Sequence, residues 1–268
     1  MAIKICIIGA AGRMGRNIAI AAYNDADCEV VGGVDRAESE FIGEKIYELA
    51  GCGKGGAEIV TDIVEASKNA DVIIDFTGAE PTFSNLKHYA AAKKPVVIGS
   101  TGFNPEQLKA IDELSKNIPI ILAPNMSLGV NVALNLIETA AKLLKGYDIE
   151  LVDTHHKMKK DAPSGTAMAM AQAAARGANI SLEENVVYER HGIIGERKEN
   201  EIGIQTLRGG DVAGDHTVFF FGNGERIEIT HRAHSRQTFA EGAVKAGKWL
   251  YNKPNGMYSM KDVLGLNN

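Results

Sequence analysis

The chain has 268 residues, a formal net charge of −5 and 45% hydrophobic residues, with a mean hydropathy of −0.10. This length supports a large core in one or two domains, and the acidic balance argues against bulk nucleic-acid binding, which requires a basic surface. No apolar run approaches the roughly 20 residues of a membrane span. An apolar strand begins within the first residues, so we expect no secretory signal. Cys6, Cys28 and Cys52 have no C-x-x-C spacing, which predicts reduced thiols in a cytoplasmic protein and no disulfide framework or zinc site.

The beginning of the chain predicts a dinucleotide site. An apolar strand at 3–8 ends at three spaced glycines, the last of which is Gly15, and an apolar-periodic helix continues to residue 23. Glycines let the backbone approach phosphate oxygens, and the helix N-terminus offers N–H groups to them. Asp35 ends the next apolar run, where an acidic side chain meets the adenosine ribose. The alternative, that the glycines only form a tight turn, stays open because their spacing is G-x-x-G-x-x-G rather than G-x-G-x-x-G.

The rest of the first half alternates strands with helices, a pattern typical of a parallel doubly wound sheet. We predict strands at 29–35, near 59, and at 71–76, 95–98 and 118–123, with helices at 81–92 and 105–116. Small or polar residues follow several strands at their carboxyl ends, which is the edge where an open parallel sheet binds ligands. The residues expected to line the nicotinamide half of this edge are Gly78, Gly99, Thr101, Asn125 and Met126.

After residue 126 the pattern changes. We predict helices at 128–145, 162–176 and 239–251, the second of them ending at Gly177, and strands at 148–154, 202–208, 216–221 and 226–231. Successive strands without intervening helices predict a mixed or antiparallel sheet. The predicted fold is therefore α/β, with an N-terminal doubly wound Rossmann-like domain (1–126 with 236–268) and a second α+β domain (127–235) that carries a mixed or antiparallel sheet.

The densest chemical segment is 153–166, which begins at the end of the strand at 148–154. His155 and His156 are followed by lysines at 157, 159 and 160, a local positive charge suited to a carboxylate ligand. Ser164 precedes a helix whose N–H groups form a second anion site. The alternatives are a solvated lysine loop and a serine that only caps its helix.

We hypothesise that His155 donates a proton after hydride transfer and that Lys159, four residues on, is its cationic partner. Adjacent histidines can also bind a metal ion. No third ligand lies at helical or hairpin spacing from them, however, and the abundant lysine disfavours a cation. We therefore predict no metal.

The chain resembles the dihydrodipicolinate reductase family over nearly its whole length. The motifs that carry the resemblance are GAAGRMG (9–15), DFT (75–77), GSTGF (99–103), NMSLGVN (125–131), HHKMKKDAPSGTA (155–167), RGGDVAGDH (208–216) and EITHRAHSRQTFAEGA (228–243). The resemblance implies NADH- or NADPH-dependent reduction of a cyclic imine dicarboxylate, derived from 4-hydroxy-tetrahydrodipicolinate, to tetrahydrodipicolinate in diaminopimelate and lysine biosynthesis. It also implies a homotetramer assembled through the sheet of the second domain.

The resemblance further implies roles for individual residues. His155 is the acid/base and Lys159 assists protonation, while His156, Gly165 and Thr166 bind a substrate carboxylate. The implied cofactor contacts are Gly9, Ala10, Ala11, Gly12, Arg13, Met14, Asp35, Arg36, Gly99, Ser100, Thr101, Ala123, Pro124, Asn125 and Met126. Ser100 and Pro124 depart from the family pattern, which often has threonine and alanine or serine there. Asp35 favours NAD, whereas Arg13 and Arg36 can pair with a 2′-phosphate, so the sequence leaves the cofactor preference open.

Two other functions are compatible with the nucleotide site alone. A different two-domain dehydrogenase, acting on an amino acid or a semialdehyde, is one. A semialdehyde enzyme needs a nucleophilic cysteine, and none of the three cysteines begins a predicted helix. The other is an NAD(P)-sensing regulator, for which the pairing of His155 with Lys159 has no use.

Overall fold

The computed structural model describes residues 2–266, and the chain divides into two compact units. Unit 1 consists of Met1–Leu128 and Gln237–Asn268, and unit 2 of Gly129–Arg236. In the described part of the chain, every helix is too short or too polar to span a membrane. The elements in chain order are β1 (Ile3–Ile8), α1 (Arg13–Tyr23), β2 (Cys28–Val34), α2 (Ile46–Ala50), β3 (Ile59–Val60), α3 (Ile63–Ser67), β4 (Val72–Asp75), α4 (Ala79–Ala92), β5 (Val96–Ile98), α5 (Pro105–Ser115), β6 (Pro119–Leu122), α6 (Leu128–Leu143), β7 (Asp148–His155), α7 (Gly165–Ala178), α8 (Leu182–Asn185), β8 (Val186–Val187), β9 (Ile202–Arg208), β10 (Gly214–Phe221), β11 (Arg226–Ala233), α9 (Gln237–Leu250), β12 (Gly256–Tyr258) and α10 (Met260–Leu264).

Unit 1 is built on a seven-stranded sheet in the order β12-β6-β5-β4-β1-β2-β3, in which every strand pair is parallel. The order reverses between β1 and β4, which is the point where such sheets open a crevice at the carboxyl ends of their strands. Strands covered on both faces must be continuously apolar, and Ile5, Ile7 and Ile74 are fully buried. The predicted Rossmann-like architecture is confirmed.

Two short elements at the end of unit 1 have no counterpart in the sequence prediction. β12 has three residues and pairs with β6, and α10 has five residues. Elements of this length contain too few residues for a hydrophobic period to be recognised. The helices α2 and α3, of five residues each, escaped prediction for the same reason.

Unit 2 contains a five-stranded mixed sheet in the order β11-β10-β7-β9-β8. β7 pairs antiparallel with β10 and parallel with β9. Alternate residues of β7 are buried: Ile149 and Leu151 join the core that α6 and α7 complete, and Asp153 and His155 continue the same series. The buried side of β7 therefore changes from apolar to ionisable at its carboxyl end.

The bounds of α7 differ from the prediction. The helix begins at Gly165, after the cap residue Ser164, and runs past Gly177 to a left-handed cap at Asn179 (φ 59°). Gly177 instead allows a close helix contact, because a Cβ there would lie 2.1 Å from the carbonyl oxygen of Glu138 in α6. The prediction that Gly177 ends the helix was therefore wrong. Glycine is favoured both where a helix ends and where two helices pack closely, so the residue type alone did not distinguish the two.

Candidate active site

The glycine loop after β1 lines a cavity of about 740 Å³ in unit 1. α1 begins after Gly12, which provides no side-chain cap, and its first turn has no acidic residue. N–H groups at such a terminus are open to an anion. A Cβ at Gly15 would lie 2.2 Å from the carbonyl oxygen of Gly9, so glycine is required for this tight entry into α1. The predicted cofactor residues that line the cavity are Gly9, Ala11, Gly12, Arg13, Met14, Asp35 and Arg36.

Asp35 fixes the loop from the end of β2. Its Oδ2 accepts the N–H of Ala11 at 2.9 Å, and its Oδ1 accepts the N–H of Arg36 at 2.8 Å. The carboxylate therefore sits at the rim of the cavity, where the sequence analysis expects a ribose. Phe41, Thr61, Thr77 and Asn85 also line the cavity. The sequence analysis did not assign Phe41, Thr61 or Asn85 to the site, since no motif marks residues that only a fold brings to the rim.

The remaining predicted cofactor residues do not line this cavity. Ala10 is fully buried, and two groups follow neighbouring strands at the same carboxyl edge: Gly99, Ser100 and Thr101 after β5, and Ala123, Pro124, Asn125 and Met126 after β6. Ser100 is buried, and its Oγ accepts the Gly78 N–H at 2.9 Å and the Thr82 hydroxyl at 2.8 Å. The Met126 side chain is fully buried in the core. Their cofactor roles stay predictions.

Unit 2 contains a buried polar cluster at the end of β7, formed by Asp153, His155, Ser164 and His216. Asp153 is fully buried, and the other three residues are at most 9% exposed. Asp153 and His216 are directly opposite in the β7–β10 register, and His155 lies two residues after Asp153 on the same face of its strand. Strand geometry thus brings a carboxylate and two imidazoles together.

Both oxygens of Asp153 lie close to polar groups of the cluster. Oδ1 lies 2.9 Å from His155 Nδ1 and 3.2 Å from His216 Nε2. Oδ2 accepts the Ser164 N–H at 3.0 Å and lies 3.3 Å from an Arg208 nitrogen. Burial by itself raises the pKa of Asp153, but the His216 and Ser164 interactions and the His155 charge outweigh burial, so its pKa lies well below the usual value. Asp153 is therefore ionised at neutral pH.

Ser164 connects the cluster to α7. Its Oγ lies 3.0 Å from His216 Nε2 and accepts the N–H of Ala167 at 3.1 Å, which caps the helix. His216 Nδ1 is sealed from solvent and has no hydrogen-bond partner among residues 2–266. Ser164 therefore links the buried imidazole of His216 to the start of α7.

The His155 ring is held between Asp153 and His216, with its centroid 5.1 Å from that of His216 in an edge-to-face arrangement. Burial lowers the pKa of His155, the Asp153 carboxylate opposes this, and the charges of His216, Lys159 and Arg208 lower the pKa further. His155 is therefore neutral at pH 7 in the ligand-free protein. A Cβ at Gly214 would lie 3.0 Å from His155 Nε2, so glycine leaves room for the ring.

The other predicted residues of unit 2 surround this cluster. Lys159 Nζ contacts both carboxylate oxygens of Asp161, at 2.9 and 2.8 Å. The backbone N–H of His156 donates to the Val212 carbonyl at 2.8 Å. Gly165 and Thr166 are the first two residues of α7. His155, Lys159 and the N-terminus of α7 therefore lie on or beside the same short loop, which joins β7 to α7.

No role was predicted from the sequence for Asp153, His216 or Arg208, although each lies in a segment that carries the chemistry or the resemblance. Asp153 had a usable signal, because it lies two residues before His155 and shares its strand face. His216 lies 61 positions beyond His155 in the chain, and only the β7–β10 register brings it to Asp153. The prediction of no metal considered only ligands at helical or hairpin spacing from His155. Asp153 and His216 lie at neither spacing, so both were overlooked.

Comparison with known proteins identifies the family. Residues 3–126 match "Dihydrodipicolinate reductase, N-terminus" and residues 129–264 match "Dihydrodipicolinate reductase, C-terminus". The chain is 49% identical over 264 residues to the 4-hydroxy-tetrahydrodipicolinate reductase of Anaeromyxobacter dehalogenans (strain 2CP-1), covering 98% of both proteins. It is 48% identical over 265 residues to that of Syntrophotalea carbinolica, covering 98% of the chain and 99% of the relative.

A solved structure shares the fold. The dipicolinate-bound dihydrodipicolinate reductase from Paenisporosarcina sp. TG-14 superposes with a TM-score of 0.75 at 24% identity, over 97% of this chain and 98% of that chain. At this identity the similarity supports the α/β architecture alone.

The geometry of Ser164 predicts a loss of stability in Ser164→Ala. The variant loses the α7 cap and leaves the Ala167 N–H and His216 Nε2 without the hydroxyl, so we expect the free energy of unfolding to fall by about 2 kcal/mol. Ser181→Ala is the matched control, because it removes only an exposed 3.4 Å cap of the short helix α8. Urea denaturation of both variants measures the difference, and equal losses would show that the buried network adds nothing to the cap.

Proposed function

Because this chain belongs to the dihydrodipicolinate reductase family, we propose that His155 and Lys159 supply the proton for the family's reaction. The chain is an NAD(P)H-dependent oxidoreductase of diaminopimelate and lysine biosynthesis. It reduces the cyclic imine dicarboxylate derived from 4-hydroxy-tetrahydrodipicolinate to tetrahydrodipicolinate. The observation that supports the assignment of residues is the buried contact of His155 with ionised Asp153, beside the N-terminus of α7.

The residues around the unit 1 cavity fit a dinucleotide. NADH or NADPH, when bound, supplies the hydride. The uncapped first turn of α1 is suited to the pyrophosphate. Asp35, already held at the rim by two backbone N–H groups, is placed to accept ribose hydroxyls. Arg13 and Arg36 line the same cavity and provide positive charge for a 2′-phosphate.

The N-terminus of α7 is suited to a substrate carboxylate. Its first turn contains no acidic residue, and its dipole favours an anion at Gly165 and Thr166. Lys159 and Arg208 add positive charge near this terminus. His156, at the end of β7, completes the group that we propose binds the dicarboxylate.

The reduction consumes one hydride and one proton: a C–H bond forms as one π bond of the C=N or conjugated C=C–C=N system breaks, and the nitrogen or carbon left with the negative charge takes the proton. His155 is neutral before substrate binds, since burial and neighbouring cations lower its pKa. Two substrate carboxylates would favour the imidazolium and raise that pKa. The Asp153 carboxylate, 2.9 Å from the ring Nδ1, balances the charge of the imidazolium. Exchange of Asp161 for a substrate carboxylate would bring Lys159 to the same ligand.

The proton-donor proposal predicts that His155→Gln lowers kcat by about 10²–10⁴-fold, the usual loss for a general acid. We expect Lys159→Ala to lower kcat at least tenfold, because it removes the second cation. Both variants should keep the dissociation constant for NADH. Asp35→Ala should raise that constant about tenfold, because charged hydrogen bonds to the ribose are lost.

The assay follows the loss of reduced-nicotinamide absorbance with freshly generated cyclic imine, and fluorescence titration gives NADH affinity. His191→Gln and Lys198→Ala are the matched controls, because both residues are exposed in unit 2 and distant in sequence from the loop. Near-normal turnover of His155→Gln would refute the assignment.

We propose that the protein is a homotetramer assembled through the unit 2 sheet. The face of β10 opposite its core side carries Phe219 and Phe221, which stack 5.6 Å apart and are only partly buried. Partly exposed aromatic side chains on one face of a sheet favour association. Light scattering should give a mass four times that of the 28.7 kDa chain, whereas a monomer at assay concentration would contradict the proposal.

We propose a cytoplasmic location. Its support is the oxidation state of the cysteines, since Cys6, Cys28 and Cys52 are all free thiols. Burial raises the pKa of Cys6 to about 12 and that of Cys28 to about 11, so both thiols resist oxidation. Free thiols are typical of a reducing compartment.

A further inference from the structure

We propose that Asp153, His155 and His216 form a binding site for a divalent transition-metal ion, and that Zn²⁺ bound there inhibits the enzyme. The inhibitory part rests on the proposed role of His155 as proton donor. The binding part depends only on the three side chains.

The three ligand atoms have the spacing of a zinc site. Asp153 Oδ1 lies 2.9 Å from His155 Nδ1 and 3.2 Å from His216 Nε2, and one ligand atom from each of the three residues lies within 4.8 Å of the others. Tetrahedral Zn²⁺ has ligand bonds of about 2.0–2.2 Å, which place its ligands roughly 3.3 Å apart. Small side-chain shifts would therefore accommodate an ion.

The hydrogen bonding of these atoms is incomplete without a further partner. Asp153 Oδ1 and His155 Nδ1 are both sealed from solvent, and within residues 2–266 neither has a hydrogen-bond partner. They lie 2.9 Å apart, but the ring nitrogen is not directed along the line to the oxygen. Buried polar atoms without partners are rare and costly. An ion between the three ligands would give both atoms a partner.

A neighbouring contact orients one of the ligands. Ser164 donates its N–H to the second Asp153 oxygen, the kind of outer contact that orients a metal-binding carboxylate. Arg208, 3.3 Å from the same oxygen, and Lys159 oppose a cation, so we expect micromolar rather than tighter affinity.

The ligand set selects the metal and explains the inhibition. Two imidazoles and one carboxylate suit Zn²⁺, Co²⁺, Ni²⁺ or Cu²⁺, whereas Mg²⁺ prefers oxygen ligands. An ion on Nδ1 prevents His155 from forming an imidazolium, because both ring nitrogens cannot then carry protons. The ring can serve as metal ligand or as proton donor, but not as both at once.

Titration of chelator-treated wild-type protein with Co²⁺ alone tests the site, with visible absorption as the readout. We expect one Co²⁺ per chain, tetrahedral d–d bands, no thiolate charge-transfer band, displacement by Zn²⁺ and none by Mg²⁺. Asp153→Asn and His216→Asn should weaken binding at least tenfold. His191→Gln and the double variant Cys28→Ser/Cys52→Ser should not change it.

Imidazole NMR of the wild-type protein keeps the test independent of whether the variants fold. Zn²⁺ should shift the His155 and His216 resonances and leave those of His191 and His234 in place. No Co²⁺ binding at millimolar concentration, binding that persists in His216→Asn, or binding that is lost with the cysteines would overturn the site.

Measurements of kcat distinguish failure of the metal site from failure of the proposed role of His155. We expect Zn²⁺ to lower kcat and a chelator to restore it. Zn²⁺ bound to His155 and His216 without loss of turnover would overturn the inhibitory part and also the assignment of His155 as proton donor. Absence of metal binding, together with a low kcat in His155→Gln, would overturn the metal site and leave the proposed function intact.

Discussion

The ionised carboxylate of Asp153 is the constraint on which the unit 2 site depends. Burying a charge without partners costs several kcal/mol, and here four groups compensate it: two imidazoles, the Ser164 N–H and the Arg208 guanidinium. Those same contacts fix the start of α7 and orient His155. The pKa of Asp153 is below its unfolded value of about 4, so this stabilisation is present above pH 4 and is lost as pH falls further.

Asp35 in unit 1 makes contacts related to those of Asp153, but its carboxylate faces a cavity whereas that of Asp153 is buried. Asp35 follows β2, and Asp153 lies two residues before the end of β7. Each carboxylate accepts a backbone N–H in the segment that leads into a helix, from Ala11 before α1 and from Ser164 before α7. Asp35 stands at the rim of a cavity and keeps a charge available to a ligand. Asp153 is fully buried and acts through His155. The same kind of contact thus leaves one carboxylate at a cavity in unit 1 and buries the other beside His155 in unit 2.

The sequence predicted most of what depends on local order. Strand β1, its glycines and Asp35 follow one another in the chain, so their periodicity and spacing predicted the Rossmann-like unit. His155, Lys159 and Gly165 fall within eleven positions, which made a candidate site visible. His216 reaches Asp153 only through an antiparallel register, and no spacing rule specifies that register. Gly177 was misread because helix packing, like a helix stop, selects glycine.

The charged Asp153 raises the pKa of His155 through their contact, and an imidazole NMR titration measures this effect directly. In the ligand-free wild-type protein we expect a His155 pKa below the ordinary value of 6.5, because burial and nearby cations outweigh the carboxylate. In Asp153→Asn we expect a still lower pKa, because the one charge that raises it is gone. An unchanged or higher His155 pKa in Asp153→Asn, with the fold intact by circular dichroism, would show that the carboxylate does not control the imidazole.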